Sequence, residues 1–289
     1  METSLQEPIA CPVCAADVSR IYQRKNGYEI VVCDVCHVRY VHPMPTALED
    51  LYAENYFAGA DEGFGYVDYD ADKEPMVGAF KKYLQHVRKL SPQAKSLLDV
   101  GAATGFFLDI ARTDGFTVAG VEISEFAAQK GRDKGIEMTT GTLDQVSGTY
   151  DVISMLDLIE HVTDPRAELK KAHALLAEHG LLVINTPDAG SPYAKLMGPK
   201  WHLIVPPEHL FYFDRKNIAN LLAQEGFKVE LTTTIGKNFT LPYIFRTVHG
   251  WLGWSVLSWF AKVAGLPVLR DIALPINLGD NMFVIARKV

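Results

Sequence analysis

Leu97-Leu98-Asp99-Val100-Gly101-Ala102-Ala103-Thr104-Gly105 opens the regular part of this chain. Leu97 to Val100 read as a short buried strand, and Phe106 to Thr113 as the helix that follows it. A strand-to-helix turn carrying Gly101 and Gly105 lets a ligand come close to the backbone. Outward from this turn, strands and helices alternate. Phe116 to Val121 reads as a strand, Ser124 to Lys134 as a helix, Ile136 to Thr140 as a weaker strand and Tyr150 to Met155 as a fourth. A helix is predicted over 165–179, with Asp164 as its cap, Pro165 in its first turn and Gly180 to close it. Leu181 to Ile184 is the fifth strand. Asp214 caps another helix ending at Gly226. Phe227 to Ile235 and Asn281 to Val289 read as the last two strands, with an insertion over 236–280 between them. Such alternation implies parallel strands joined by right-handed crossovers, an α/β fold.

Glu122 falls at the end of the second strand of this series. A carboxylate there can accept hydrogen bonds from both ribose hydroxyls of a nucleoside. The pair of features fits a dinucleotide, whose pyrophosphate suits a helix N-terminus, as well as S-adenosylmethionine, whose carboxylate can take the same place. The neighbouring residues favour the second. Asp99-Val100-Gly101-Ala102-Ala103-Thr104-Gly105 resembles motif I of class I S-adenosylmethionine-dependent methyltransferases, departing from it at Ala103, where glycine is usual. Tyr150-Asp151-Val152-Ile153 with Leu156-Asp157-Leu158-Ile159-Glu160-His161-Val162 resembles the strand-four motif of that family, and Asn185-Thr186-Pro187 the end of its fifth strand. The resemblance covers about 95–235. It implies a Rossmann-like seven-stranded sheet with its last strand reversed. It also implies a cofactor site in which Asp99, Gly101, Ala102 and Gly105 surround the methionine part and Glu122 holds the ribose. Thr142 and Leu143 would flank the adenine, and Asp157 and His161 would lie near the sulfonium.

The bulk numbers narrow the partners. A formal net charge of −7, with no basic stripe, argues against a nucleic-acid substrate. Met1 to Ala10 has two Glu and no basic residue, so no secretory signal is expected and a cytoplasmic location is. The apolar run 251–268 is interrupted by Gly253, Lys262, Gly265 and Pro267. It is read as a buried or partner-facing helix with scope for peripheral membrane contact, not as a span. The 236–280 insertion is expected to form a homodimer contact or a lid over the acceptor.

All four cysteines precede residue 37, as Cys11, Cys14, Cys33 and Cys36. Two C-x2-C turns aim four thiolates at one point and complete a tetrahedron around Zn2+. Redox cysteines or two disulfides are the alternative. A four-sulfur site has no open position, so the metal would be structural. The chain then divides into a zinc-binding knuckle over 1–45, an aromatic lid and helix over 46–95, and the methyltransferase domain over 96–289.

After the fifth strand comes Pro206-Pro207-Glu208-His209-Leu210-Phe211-Tyr212-Phe213. Methyl transfer needs an oriented nucleophile and, for some acceptors, a base; a histidine near neutrality suits the second task. This stretch resembles the P-E-H-x-x-Y-F segment of zinc-containing deoxysugar C-methyltransferases and their smaller relatives. That resemblance implies Glu208 and His209 at the acceptor, with His209 as base. Gly65-Tyr66-Val67-Asp68-Tyr69 similarly resembles their lid, implying Tyr69 over the site. The expected activity is methyl transfer to a small polar metabolite such as a nucleotide-linked sugar. An RNA methyltransferase with a zinc recognition module, and a binding protein that retained the cofactor fold, are the alternatives.

Overall fold

The computed structural model describes residues 10–45, 69–242, 244–245, 248, 260, 263–266 and 272–289. The lid residues 65–68 and most of the run 251–268 lie outside the described residues. Among the described residues no helix is long and apolar enough to cross a membrane.

The N-terminal segment forms three antiparallel strands, β1 (Ser19–Lys25), β2 (Tyr28–Cys33) and β3 (Arg39–His42). Asn26 and Gly27 turn β1 into β2, both at positive φ (51° and 81°). Two left-handed residues in a two-residue loop match the right-handed twist of the flanking strands. Among the described residues two helices follow, α1 (Tyr69–Lys73) and α2 (Val77–Leu90), the latter burying Phe80, Tyr83, Leu84 and Val87.

The alternating region then runs β4 (Ser96–Val100), α3 (Phe106–Thr113), β5 (Thr117–Glu122), α4 (Glu125–Asp133), β6 (Glu137–Thr140), β7 (Tyr150–Leu156) and α5 (Pro165–Leu175). Ser124 and Asp164 cap α4 and α5 by accepting from Ala127 N and Ala167 N. The predicted helix over 165–179 is too long. It stops at Leu175, because β8 (Leu176–Pro187) begins at once, with Leu176 paired to Tyr150 of β7. Ala177 and Glu178 favour helix locally, but strand pairing in the sheet overrides that preference. The chain continues through α6 (Pro192–Met197), the short β9 (Phe211–Tyr212), α7 (Arg215–Gln224), β10 (Phe227–Thr233), β11 (Lys237–Thr240), β12 (Ala273–Ile276) and β13 (Asn281–Lys288). Asp214 caps α7 in a reciprocal box with Asn217.

The main sheet has seven strands in the order β10-β13-β8-β7-β4-β5-β6. The strands from β8 to β6 are mutually parallel, and β13 enters antiparallel between β8 and β10. This is the seven-stranded sheet with a reversed last strand that the sequence led us to expect. Strand order reverses at β4, so the crevice beyond the carboxyl ends of β4 and β7 is where such a sheet binds ligands.

The knuckle strands do not stand apart. β9 pairs with β3, through Arg39 with Tyr212 and Tyr40 with Phe211, giving a second sheet in the order β1-β2-β3-β9. Val31, Val38 and Tyr40 belong to the same buried cluster as Ile153, Ile184, Trp201 and Phe211. The Tyr40 and Phe211 rings stack at 6.3 Å, and Phe211 and Phe213 at 5.6 Å. A small β-segment with little core of its own is thereby stabilised by apolar burial against the larger domain.

Candidate active site

The turn after β4 is built by opposed constraints. Gly101 (φ 71°) and Gly105 (φ 73°) are left-handed, and Ala103 between them is as well (φ 48°). A Cβ at Gly101 would lie 2.9 Å from Leu158 Cδ1, and one at Gly105 would lie 2.8 Å from Ile136 Cδ1. Gly105 thus permits close packing beneath α3. Ala103 shares a small apolar cluster with Ala127, against which Phe126 and Tyr69 pack, and its N–H donates to Glu122 Oε2 at 2.9 Å. Ser124 N donates to the other oxygen of Glu122, also at 2.9 Å. Glu122 therefore pins the turn from the end of β5. Each of its oxygens accepts one backbone N–H and keeps lone-pair capacity for a hydroxyl. Burial raises its pKa, against the pull of those N–H groups.

Asp99 sits beneath, buried and accepting from Ser154 Oγ at 2.6 Å. Burial pushes its carboxyl up to about 7, with the Glu122 charge adding to the effect. Asp157, at the end of β7, is also left-handed (φ 55°). Asn185 Nδ2 donates to its Oδ1, and Lys237 Nζ, from β11, lies 2.9 Å from its Oδ2. Burial opposes ionisation of Asp157, but Lys237 and Lys73 outweigh it and hold the group down at about 2.

One cavity of about 800 Å3 joins these parts. At one end Gly101, Ala103, Glu122, Ile123, Thr142 and Leu143 line it; at the other, Glu160, His161, His202, Glu208 and His209. Asp157 lies between, and Tyr69 forms part of the wall. Thr142 caps the short turn Leu143–Gln145, which presents both residues there. Asp99 and Ala102 line a small adjoining cleft together with Gly101, Asp157 and Tyr69, while Gly105 contributes through packing beneath the turn. Tyr69 stands against the glycine turn, and its neighbour Asp70 accepts from Thr104 Oγ1.

The far end is preorganised by backbone bonds. His209 Nδ1 meets Leu203 O at 2.8 Å and His161 Nδ1 meets Glu208 O at 2.8 Å. A carbonyl only accepts, so both rings carry their hydrogen on Nδ1 and a lone pair on Nε2. The rings meet edge to face at 4.8 Å. Burial, together with its histidine neighbour, pushes His209 down to about 3, and burial lowers His161 to about 4. Both are neutral at pH 7, and burial leaves His209 well below the near-neutral value that the sequence reading expected of a base, so its lone pair is available but weakly basic. Burial raises Glu208 to about 7 and, with the Asp157 charge, Glu160 to about 8.

Sequence reasoning quoted Glu160 and Asn185 within motifs but gave neither a role, and it missed Ile123 and the whole contribution of Lys237. The acid at 160 could have been found from its three-residue spacing to Asp157. It also missed what holds the acceptor stretch. Lys25 Nζ donates to Ile204 O at 2.6 Å, Asn26 Nδ2 to Pro206 O at 2.9 Å, and Val41 N to Leu210 O at 2.9 Å. The knuckle grips the loop that carries Glu208 and His209. Within the knuckle, the sulfurs of Cys11 and Cys36 are 3.7 Å apart and those of Cys14 and Cys33 3.5 Å, and none forms a disulfide. Zinc–sulfur bonds of about 2.3 Å require tetrahedral sulfurs about 3.8 Å apart, so the four thiols fit one Zn2+. The insertion supplies cavity wall through Lys237, Phe239, Ile276 and Asn277.

Comparison with known proteins agrees with this architecture. A family model described as a methyltransferase domain matches residues 76–232, more than half of the chain. A ubiquinone biosynthesis O-methyltransferase of Caulobacter sp. (strain K31) is 33% identical over 100 residues, which are 31% of this chain and 40% of that protein. The alignment thus spans about two fifths of that relative's length. The magnesium protoporphyrin IX methyltransferase of Synechocystis PCC 6803 with bound SAH superposes with a TM-score of 0.50 at 15% identity, covering 78% of this chain and 90% of that one. Its form with bound SAM gives 0.50 at 14% identity, over 85% and 99%. At such identities the likeness is one of fold. With the family match over 76–232, the strand order and the glycine turn after β4, the chain belongs to the methyltransferase-domain family and has the class I S-adenosylmethionine-dependent methyltransferase fold.

Proposed function

We propose that the protein transfers a methyl group from S-adenosylmethionine to a small polar metabolite, with a nucleotide-linked sugar as the first class to test. The observation that carries this reading is the single cavity running from Glu122 to His209. Its volume lies toward the upper part of the ordinary ligand-site range of about 300–1,000 Å3, room for a nucleoside and a second small molecule. Bound S-adenosylmethionine supplies an electrophilic methyl on a sulfonium. Glu122 accepts the ribose hydroxyls with the lone pairs its two backbone partners leave. Ile123 and Leu143 offer apolar wall to the adenine, and Thr142 flanks it. Gly101 and Ala102 give the methionine part a close approach to the backbone, with Asp99 and Gly105 supporting the turn from behind and Asp157 at the middle of the cavity. Tyr69 closes the turn side.

The acceptor lies at the His209 end. Glu208 orients it, and His209, whose Nδ1–H is tied to Leu203 O, offers its Nε2 lone pair for proton removal. A hydroxyl acceptor is favoured by the naming of the curated relative as an O-methyltransferase. Cys11, Cys14, Cys33 and Cys36 hold a structural Zn2+ that keeps the knuckle on the acceptor loop. The test supplies methyl-labelled S-adenosylmethionine and a metabolite extract and identifies the compound that gains label. His209→Ala is expected to lower turnover at least about tenfold with nearly unchanged cofactor affinity. Calorimetry that detects no association with S-adenosylmethionine or its demethylated product would overturn the proposal.

A further inference from the structure

Apart from the four cysteines, which lie outside the cavity, the described residues bring together a second group of ligand atoms, and this one lines the cavity. Glu160, His161 and His209 each offer one donor atom, and the three lie within 4.8 Å of one another. His161 Nε2 stands 3.9 Å from Glu160 Oε1. All three residues line the cavity. The carboxylate is fixed on its other oxygen, Oε2, by Thr186 Oγ1 at 2.9 Å. Both imidazoles are fixed by Nδ1–H bonds to the carbonyls of Glu208 and Leu203. A ring that donates from one nitrogen to a backbone carbonyl and keeps a lone pair on the other is the usual arrangement of a metal-bound histidine. The geometry points to a divalent first-row cation held by Glu160, His161 and His209, with its open positions facing the acceptor end of the cavity.

Two imidazoles and one carboxylate are a ligand set for Zn2+, Fe2+ or Co2+, and three protein ligands leave room for an exogenous oxygen. Bonds of about 2.0–2.2 Å place such donors about 3.4 Å apart, so loading draws the three side chains inward. An acceptor hydroxyl in the open position would have its acidity raised by the cation. This role rests on the proposed function, although the site itself does not. With the cation in place the His209 lone pair is committed to it, so the base role of His209 belongs to the cation-free protein.

The test titrates the full chain, loaded beforehand with one equivalent of Zn2+ for the four cysteines and freed of excess Zn2+, with Co2+ as the probe. One equivalent is expected to bind, with visible ligand-field absorption and without the near-ultraviolet bands of thiolate ligation. Glu160→Gln and His161→Gln should each weaken Co2+ binding at least about tenfold, whereas Glu168→Gln, in the same cavity wall, should not. If Glu160→Gln fails to fold, His161→Gln decides alone. Absence of saturable Co2+ binding, or binding that both substitutions leave intact, overturns the site. Calorimetry with S-adenosylmethionine on the same samples separates the two readings. Co2+ uptake without cofactor association upholds the cation site and sinks methyl transfer; cofactor association without Co2+ uptake does the reverse.

Discussion

Lys25 and Asn26 lie at the tip of the β1–β2 hairpin, and their side chains hold the loop that carries the acceptor end of the cavity. Lys25→Met keeps the length of the stem but removes the ammonium that donates to Ile204 O. Asn26→Gly keeps the left-handed turn, since residue 26 has φ 51°, and deletes only the amide that donates to Pro206 O. A hydrogen bond from a charged donor contributes about 1.5–3 kcal/mol and a neutral one about 0.5–1.5 kcal/mol. Asn26 is exposed, which puts its bond toward the lower end. Together the two substitutions should lower the free energy of opening the 201–210 loop by about 2–4 kcal/mol, on the order of 30- to 1,000-fold in its open population. Native-state hydrogen exchange reads this directly, because the amides of Ile204 and His209 are bonded inside the loop, to Trp201 O and Val205 O. Exchange there should accelerate in each single variant and most in the double one. Exchange across β4 and β5 should stay unchanged, and so should affinity for S-adenosylmethionine, because the glycine turn and Glu122 belong to the other sheet. Equal acceleration in β4 and β5, or none in 201–210, would refute the claim that the knuckle acts by holding this loop.

Ala103→Gly should be close to neutral in urea unfolding: relief of the left-handed strain, about 1–2 kcal/mol, offsets a lost methyl of about 0.8 kcal/mol and a more flexible unfolded chain at about 0.4–1 kcal/mol. Gly101→Ala adds the same strain plus a 2.9 Å approach to Leu158 and should destabilise clearly; a neutral Gly101→Ala would contradict the geometry of the turn. Asp99 has its folded-state pKa raised from 3.8 to about 7, so between those values unfolding releases its proton and stability falls as pH rises, by at most about 1.4 kcal/mol per pH unit. Asp99→Asn should remove that slope and leave the other groups' contributions, so parallel pH profiles for the two proteins would show that Asp99 ionises normally. Chelation of the Zn2+ proposed for the four cysteines, or Cys14→Ser, should destabilise the fold by more than about 4 kcal/mol and expose β3 and β9 to exchange together; protection of β9 that survives loss of β3 would mean the two are independent.

Most of the seven-stranded frame could be read from the chain because its signals are local. Asp164 and Asp214 announce helices by the bonds their own side chains make, and Gly101 and Gly105 mark a turn that other residues enter only under strain. The end of α5 could not be read in this way. Leu176 is taken by its pairing with Tyr150, a contact that local helix preference does not anticipate. The candidate site divides along the same line. Glu122 and the residues of the glycine turn follow from position relative to a strand end. Asn185 and Lys237 reach Asp157 from 28 and 80 residues away, and no spacing rule links them. Asn26-Gly27 is a hairpin-turn signal that the sequence reading did not use, and nothing in the sequence says that its tip meets Pro206.

These differences have a common physical origin. The end of the cavity proposed for the cofactor is made by the ends of β4, β5 and β7, adjacent strands paired in parallel in one sheet. The acceptor end is made by a loop with little regular structure, and such a loop needs outside partners for its backbone groups. Ile204, Pro206 and Leu210 find them in Lys25, Asn26 and Val41 of the knuckle, and β9 finds its in β3. Placement of the proposed acceptor end therefore depends on the segment that carries the four thiols as well as on Glu160 and His161, to which Leu210 N, Phe211 N and Glu208 O are bonded, while placement of the proposed cofactor end does not involve that segment. Removal of the Zn2+ proposed for the knuckle should therefore leave a protein that still associates with S-adenosylmethionine but holds His209 and Glu208 less firmly, read as faster exchange in 201–210 and lower turnover at unchanged cofactor affinity.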